Sequence, residues 1–301
     1  MPPLQAPITK AQLIAPTNCK VGENPLWHPG VGMLFFLDIP AGIVHQFDPR
    51  TGDYREFSRG PVTGGMTLQE DGSLLLFQDG RISVLGPDGV QRVVATDVCP
   101  LNERFNDVIA DPEGRVYAGA MGGNGRLLRF DLDGSVTELF DDVEIPNGMG
   151  FTPDCKQMYF TDSMRRRIYL FDYDRESGNI GNRRIFAEIP REHGVPDGMT
   201  VDANGFVWTC IWGGGRITRL APDGSVDREI FVPAGQITAI AFGGSDLGDA
   251  FITSASVESS DAFLPPEYDK SRFPGGPLFG FRLEGIQGRA SFRSRLTFPS
   301  A

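Results

Sequence analysis

Cysteine is scarce in this chain of 301 residues, and the four present, Cys19, Cys99, Cys155 and Cys210, lie far apart with no C-x-x-C spacing. That excludes a zinc-ribbon site and a redox dithiol; buried free thiols are expected, with at most a single disulfide. Positive charge is also short: Lys+Arg total 28 against Asp+Glu 39, a formal net charge of −11. No basic cluster is long enough to follow a phosphate backbone, so neither nucleic acid nor an anionic membrane is an expected partner. No apolar run reaches the length of a bilayer span, and Met1-Pro2-Pro3-Leu4-Gln5-Ala6-Pro7 has neither a charged n-region nor an apolar h-region. A soluble, cytoplasmic protein is the expectation. The 3 histidines, His28, His45 and His193, form no i, i+4 pair, and the chain contains no G-x-S-x-G elbow and no Walker A loop. Helical periodicity is missing throughout.

What is plentiful is turn chemistry. Gly 38 and Pro 23 make up about a fifth of the residues around an ordinary 40% hydrophobic content, a composition of many turns about a normal core. One unit recurs: two short apolar strands, a glycine-rich link, a third strand closed by an Asp-Gly-type turn, and a fourth strand. The third strands begin at Ile43, Ile82, Leu127, Ile168, Ile217 and Leu278, so there are six copies. Four short strands per unit of roughly 40 to 50 residues is the arithmetic of propeller blades. The fold class expected is all-β, a six-bladed β-propeller filling residues 1–301 as a single domain, with a divalent metal in its central channel. Residues 1–10 read as an extended N-terminal segment. Residues 257–276, with Pro265-Pro266 and Pro274, read as a long surface loop in the last blade. Ala11-Gln12-Leu13-Ile14 and Phe292-Arg293-Ser294-Arg295-Leu296 are expected to pair in one blade and close the ring, removing exposed sheet edges. Phe 22 of 301 is read as inter-blade core.

The first strand of each blade lines the channel, so residues at the head of that strand converge. The alignment places Glu23, Gly64, Asn106, Asn147, Asp197 and Thr238 in register, and four of these carry a carboxylate or amide oxygen. Buried groups of this kind need a partner, which a hard divalent cation supplies. All-oxygen ligation suits Ca²⁺, Mg²⁺, Mn²⁺ or Fe²⁺, and the residues do not choose among them. Asn-Gly and Asp-Gly are also common turn dipeptides, but a turn does not require the donor to open the innermost strand each time. Arg104 is read as holding a substrate hydroxyl or stabilising negative charge, against an ion pair with Glu103 or Asp107. Asp131-Leu132-Asp133-Gly134 and Asp172-Tyr173-Asp174 open like an EF-hand loop without its later Gly and Glu, so they are hairpin turns. His193 reads as a solvated loop residue, and Trp212, before Gly213-Gly214-Gly215, as an aromatic near the mouth that packs on a sugar ring.

Gly22-Glu23-Asn24-Pro25-Leu26-Trp27, Arg104-Phe105-Asn106-Asp107, Ala118-Gly119-Ala120-Met121, Pro146-Asn147-Gly148, Tyr159-Phe160-Thr161-Asp162-Ser163 and Pro196-Asp197-Gly198-Met199 together resemble the senescence-marker-protein/gluconolactonase (regucalcin-like) family of sugar lactonases. The resemblance runs from about residue 20 to residue 283. It implies that Glu23, Asn147 and Asp197 bind the metal, that Arg104 and Asn106 hold the substrate, and that Asp197 is also the catalytic acid/base. Many such lactonases carry a longer acidic loop whose Glu touches the sugar hydroxyls. Here Gly122-Gly123-Asn124-Gly125 turns back at once, and Asn124 is the nearest counterpart, expected to bind substrate. The expected cofactor is one divalent ion, Ca²⁺ first, with Mg²⁺, Mn²⁺, Fe²⁺ or Zn²⁺ as alternatives. The expected activity is hydrolysis of a sugar (aldono-) lactone in carbohydrate metabolism, with the metal polarising the carbonyl. Two other readings accompany it: a metal-dependent hydrolase of another ester or a phosphotriester, and a non-catalytic propeller braced by calcium. The expected partner is a small-molecule lactone.

Overall fold

The Asp-Gly turns close hairpins as their chemistry dictates. Val90 N donates to Asp88 Oδ1 at 3.1 Å, and Ser135 N and Ser225 N donate to Asp133 and Asp223 Oδ1 at 3.0 Å each. The intervening glycines, Gly89, Gly134 and Gly224, have φ of 76°, 81° and 85°, a region that glycine enters without steric cost.

The computed structural model describes residues 10–99 and 103–298. Among them 24 strands form six antiparallel four-stranded sheets. Strand β1 (Gln12–Ala15) comes first. Blade one is β2 (Gly22–His28), β3 (Met33–Asp38), β4 (Ile43–Phe47) and β5 (Tyr54–Arg59); blade two is β6 (Thr63–Leu68), β7 (Leu74–Gln78), β8 (Arg81–Leu85) and β9 (Gln91–Thr96). Blade three holds β10 (Arg104–Ala110), β11 (Val116–Met121), β12 (Arg126–Phe130) and β13 (Val136–Asp141), and blade four β14 (Pro146–Phe151), β15 (Gln157–Asp162), β16 (Arg167–Tyr173) and β17 (Ile180–Glu188). Blade five is β18 (Val195–Val201), β19 (Val207–Trp212), β20 (Arg216–Leu220) and β21 (Val226–Phe231). The last sheet combines β22 (Ile237–Gly243), β23 (Asp249–Ser254), β24 (Leu278–Arg282) and β1. This is a six-bladed β-propeller.

Burial falls from the axis outward, because the first strand of a blade has neighbours on every side and the fourth has water. All of β6 and β14 is buried, whereas β13 is exposed or half-buried along its length. Aromatic rings fill the seams between blades: Phe77, Phe105 and Phe130 meet edge to face at 5.2–5.9 Å between blades two and three. In blade five the buried Asp202 accepts from Trp208 Nε1 at 3.0 Å and from Arg219, whose guanidinium lies 3.5 Å from the centre of the Phe206 ring. All four cysteines are unpaired. No described helix is long and apolar enough to cross a membrane.

The ring closes differently from expectation. Strand β1 pairs with β24, Gln12 opposite Gly280 and Leu13 opposite Phe279. Residues 292–296 do not share that sheet. Instead the C-terminal chain is a strap across the end of the propeller opposite the strand heads. Gly288 N reaches Leu247 O, Ala203 N reaches Gln287 O, Ser294 N reaches Leu68 O and Arg295 N reaches Gly114 O, at 2.8 to 2.9 Å. The outer edge of the last blade holds one strand, and β1 occupies it. Residues 257–276 connect β23 and β24 and carry a 3₁₀ turn at Asp261–Phe263. Of the expected extended segment 1–10, residues 1–9 lie outside the described residues, and Lys10 forms a parallel bridge to Phe231.

Candidate active site at the head of the axis

Every innermost strand breaks register at the same place. The pairing shifts between Glu23 and Leu26, Thr63 and Gly65, Phe105 and Val108, Asn147 and Met149, Pro196 and Met199, and Ile237 and Ile240. A bulge leaves its extra residue unpaired and bends the strand, so the heads of the strands are re-aimed. Asn24 and Asp107 adopt φ of 46° and 56° there, a left-handed conformation that Asn and Asp tolerate best after glycine. Two of the six positions serve the ring itself. A Cβ on Gly64 would sit 1.8 Å from Phe105 O, and Thr238 Oγ1 donates to Gly22 O at 2.6 Å, joining last blade to first.

The other four, Glu23, Asn106, Asn147 and Asp197, are 6 to 8% exposed and line one cavity of about 240 Å³ together with Arg104. Their hydrogen bonds divide them. Asn106 is committed at both ends: Nδ2 donates to Pro146 O at 2.8 Å, and Oδ1 accepts from Arg104 Nη1 at 3.1 Å. Asn147 donates through Nδ2 to Ser163 Oγ at 3.2 Å, and Ser163 in turn donates to Pro196 O at 2.7 Å, while Oδ1 of Asn147 takes no donor from the described residues. Arg104 also donates to Phe105 O at 2.9 Å and forms no ion pair among the described residues; Glu103 pairs with Arg126 at 2.8 Å instead. Burial pulls the Arg104 guanidinium below its usual range, and the Glu23 charge opposes that pull.

Burial pushes the Glu23 carboxyl well above the ordinary range, and repulsion from Asp197 and Asp107 adds to it. Asp197 is raised likewise, by burial first and then by Asp107, against hydrogen bonds from Gly198 and Asn147. Asp107 is pushed up to about 7 by burial. Such carboxyls are held against their preference for charge. A hard cation relieves that, and two carboxylates with a free amide oxygen form a donor set of the right chemistry, so Glu23, Asn147 and Asp197 fit one. Among the described residues no three His, Cys, Asp or Glu side chains cluster as a metal site; the third donor here is an amide.

Asn124 is not brought to this cavity. Gly122, Gly123 and Gly125 have φ of 102°, 55° and 54°, and their turn leaves Asn124 exposed in a separate depression with Asp141, Glu144 and Arg165. His193 does not line the cavity, whereas Trp212 does. Three contributors are not legible in the residues alone. Asp107, in the sequence a partner for Arg104, occupies the position that Gly148 and Gly198 hold in their strands; it lines a second cavity along the axis and reaches Glu23 and Asp197 through its charge. Ser163 lay inside a family motif without a role. Residues 257–260 and Phe263 form a wall of the cavity, for which only the length of the blade-six loop was a signal.

The fold and site define a class: a six-bladed propeller with an oxygen-lined, arginine-bearing cavity at the head of its axis. Residues 21–256 match the SMP-30/Gluconolactonase/LRE-like region, and the chain belongs to that family. It is 41% identical over 286 residues to pentonolactonase XacC of Haloferax volcanii, covering 93% of this chain and 97% of that protein. It is 32% identical over 294 residues to regucalcin of Xenopus laevis, covering 93% and 97%. Among solved structures, regucalcin of Agrobacterium tumefaciens, described as a calcium-binding protein, superposes with a TM-score of 0.85 at 26% identity, covering 96% of this chain and 98% of that one.

Proposed function

We propose that the chain is a single-domain, cytoplasmic, metal-dependent lactonase that opens a sugar (aldono-) lactone to its aldonic acid. One observation carries the reading: Glu23, Asn147 and Asp197 share a single cavity with the guanidinium of Arg104, which Asn106 holds and which forms no ion pair among the described residues. An ion that merely braced the ring would need no arginine beside it. The name of the 41% identical relative, a pentonolactonase, supports the substrate class, and four unpaired thiols suit a reducing compartment.

A divalent ion held by Glu23, Asn147 and Asp197, with Ca²⁺ the first choice for an all-oxygen set, supplies polarisation of the lactone carbonyl when bound. Asp197 takes a proton from the attacking water as the water oxygen bonds to the carbonyl carbon. The ring C–O bond then breaks, and the same carboxyl returns the proton to the departing ring oxygen, which becomes a hydroxyl. Arg104, oriented by Asn106, donates to a substrate oxygen and stabilises the negative charge that develops.

The test is hydrolysis of a panel of aldonolactones and simple aliphatic lactones, followed with a pH indicator, on chelated protein and after restoring Ca²⁺, Mg²⁺, Mn²⁺, Fe²⁺ or Zn²⁺. Turnover of an aldonolactone that disappears on chelation and returns with one ion is expected. Silence across the panel from protein with bound metal would overturn the reading in favour of another electrophile or a structural ion.

A further inference from the structure

The blade-six connection is a fixed wall of the cavity. Val257 N donates to Lys20 O at 3.2 Å, and Gln236 Nε2 donates to Val257 O at 2.9 Å. Ser259 Oγ accepts from Trp212 Nε1 at 2.8 Å, and Ala262 O accepts from Arg166 Nη2 at 3.1 Å. Segments from four blades or their approaches thus hold residues 257–262 in place.

Glu258 sits between two of those anchored residues. It lines the cavity, is exposed, and makes no hydrogen bond or ion pair among the described residues. The nearby Lys270 attracts it, but that ammonium is held by Asp261 at 2.7 Å and makes no ion pair with Glu258. The cavity therefore has a cationic donor, Arg104, and a separate carboxylate acceptor on the blade-six wall. A lactone without ring hydroxyls offers only acceptor oxygens. It would cover the Glu258 carboxylate with nothing to donate to it, a cost that a hydroxylated ring avoids.

We propose that Glu258 is a specificity-determining residue that accepts hydrogen bonds from the ring hydroxyls of the substrate, so the site selects polyhydroxylated lactones. This rests on the lactonase reading above. Trp212 acts through Ser259 as a positioning residue that fixes the wall on which Glu258 stands.

The experiment compares Glu258→Gln with the wild type, metal-loaded, on D-xylono-1,4-lactone and γ-butyrolactone. The ratio of kcat/KM for the hydroxylated over the bare lactone is expected to fall about tenfold, as loss of one charge-assisted acceptor implies, chiefly through KM for the hydroxylated substrate. An unchanged ratio would overturn the proposal. Calorimetric binding of a 1,4-anhydropentitol, which keeps ring hydroxyls but has no carbonyl, separates this inference from the reaction. Binding about tenfold weaker in Glu258→Gln supports the role of Glu258 even if no lactone is hydrolysed. Equal binding by the two proteins, or none by the wild type, refutes it.

Discussion

Asn106 and Asn147 are the same side chain in the same register of neighbouring blades, and their surroundings give them different work. Asn106 offers its oxygen to Arg104 and so orients the guanidinium, whereas Asn147 offers its N–H groups to Ser163 and Asp197, and its oxygen takes no donor from the described residues. The carboxylates beside them are mutually repelling, and that has measurable consequences. Asp197→Ala is expected to lower kcat for lactone hydrolysis by about 10³-fold, and Glu23→Ala to weaken divalent-ion binding about 100-fold in a calorimetric titration, since ligand charge count sets affinity. Metal-free Asp197→Ala should melt at or above metal-free wild type, because one of a set of buried, mutually repelling acids has been removed. A marked fall in its melting temperature would mean that Asp197 is a structural residue. Asn124, which lies outside the cavity, is the residue at which family pattern and position part company. The glycines around it, at positive φ, close a tight turn that leaves it exposed.

Among elements, the innermost strand with its bulge is the unit that builds the site. Six bulges at equivalent places convert a plain antiparallel edge into a ring of re-aimed residues. Gly64 marks how tightly those strand heads pack, since a Cβ there would lie 1.8 Å from a backbone carbonyl that cannot rotate away. Gly64→Ala is therefore expected to destabilise the protein by about 3 kcal/mol, read as a shift in denaturant midpoint at unchanged slope. A midpoint like the wild type's would show that blades two and three separate easily. The bulges could not be counted from residues, because a bulge is a relation between two strands. The strap was misread for a related reason. Phe292-Arg293-Ser294-Arg295-Leu296 sets Phe292, Ser294 and Leu296 on one side and two arginines on the other, a pattern that says one face is covered without saying what covers it. Leu68, at the end of β6, and Gly114 and Leu132, on turns of blade three, provide the partners.

For the molecule as a whole, closure is the organising fact. The first strand of the chain completes the last blade, so the most distant parts of the sequence share one sheet. Without residues 1–15 the β24 edge, with Phe279 and Leu278, stands unpaired, and such an edge templates association. That truncation is expected to melt at a lower temperature than the full chain and to elute as aggregate in size-exclusion chromatography. A monomer with the full chain's melting temperature would show that the ring closes without β1. The sequence by itself determined the class of fold, the number of blades and the register of Glu23, Asn106, Asn147 and Asp197. Those follow from turn chemistry and alternation, which are local and recur in each unit. Only the tertiary structure decided which amide keeps a free oxygen, that Asp107 adds a third acid, and that the blade-six wall brings Glu258 to the cavity beside Trp212 of blade five. Those depend on which atoms meet across blades, and the packing of the closed ring sets that.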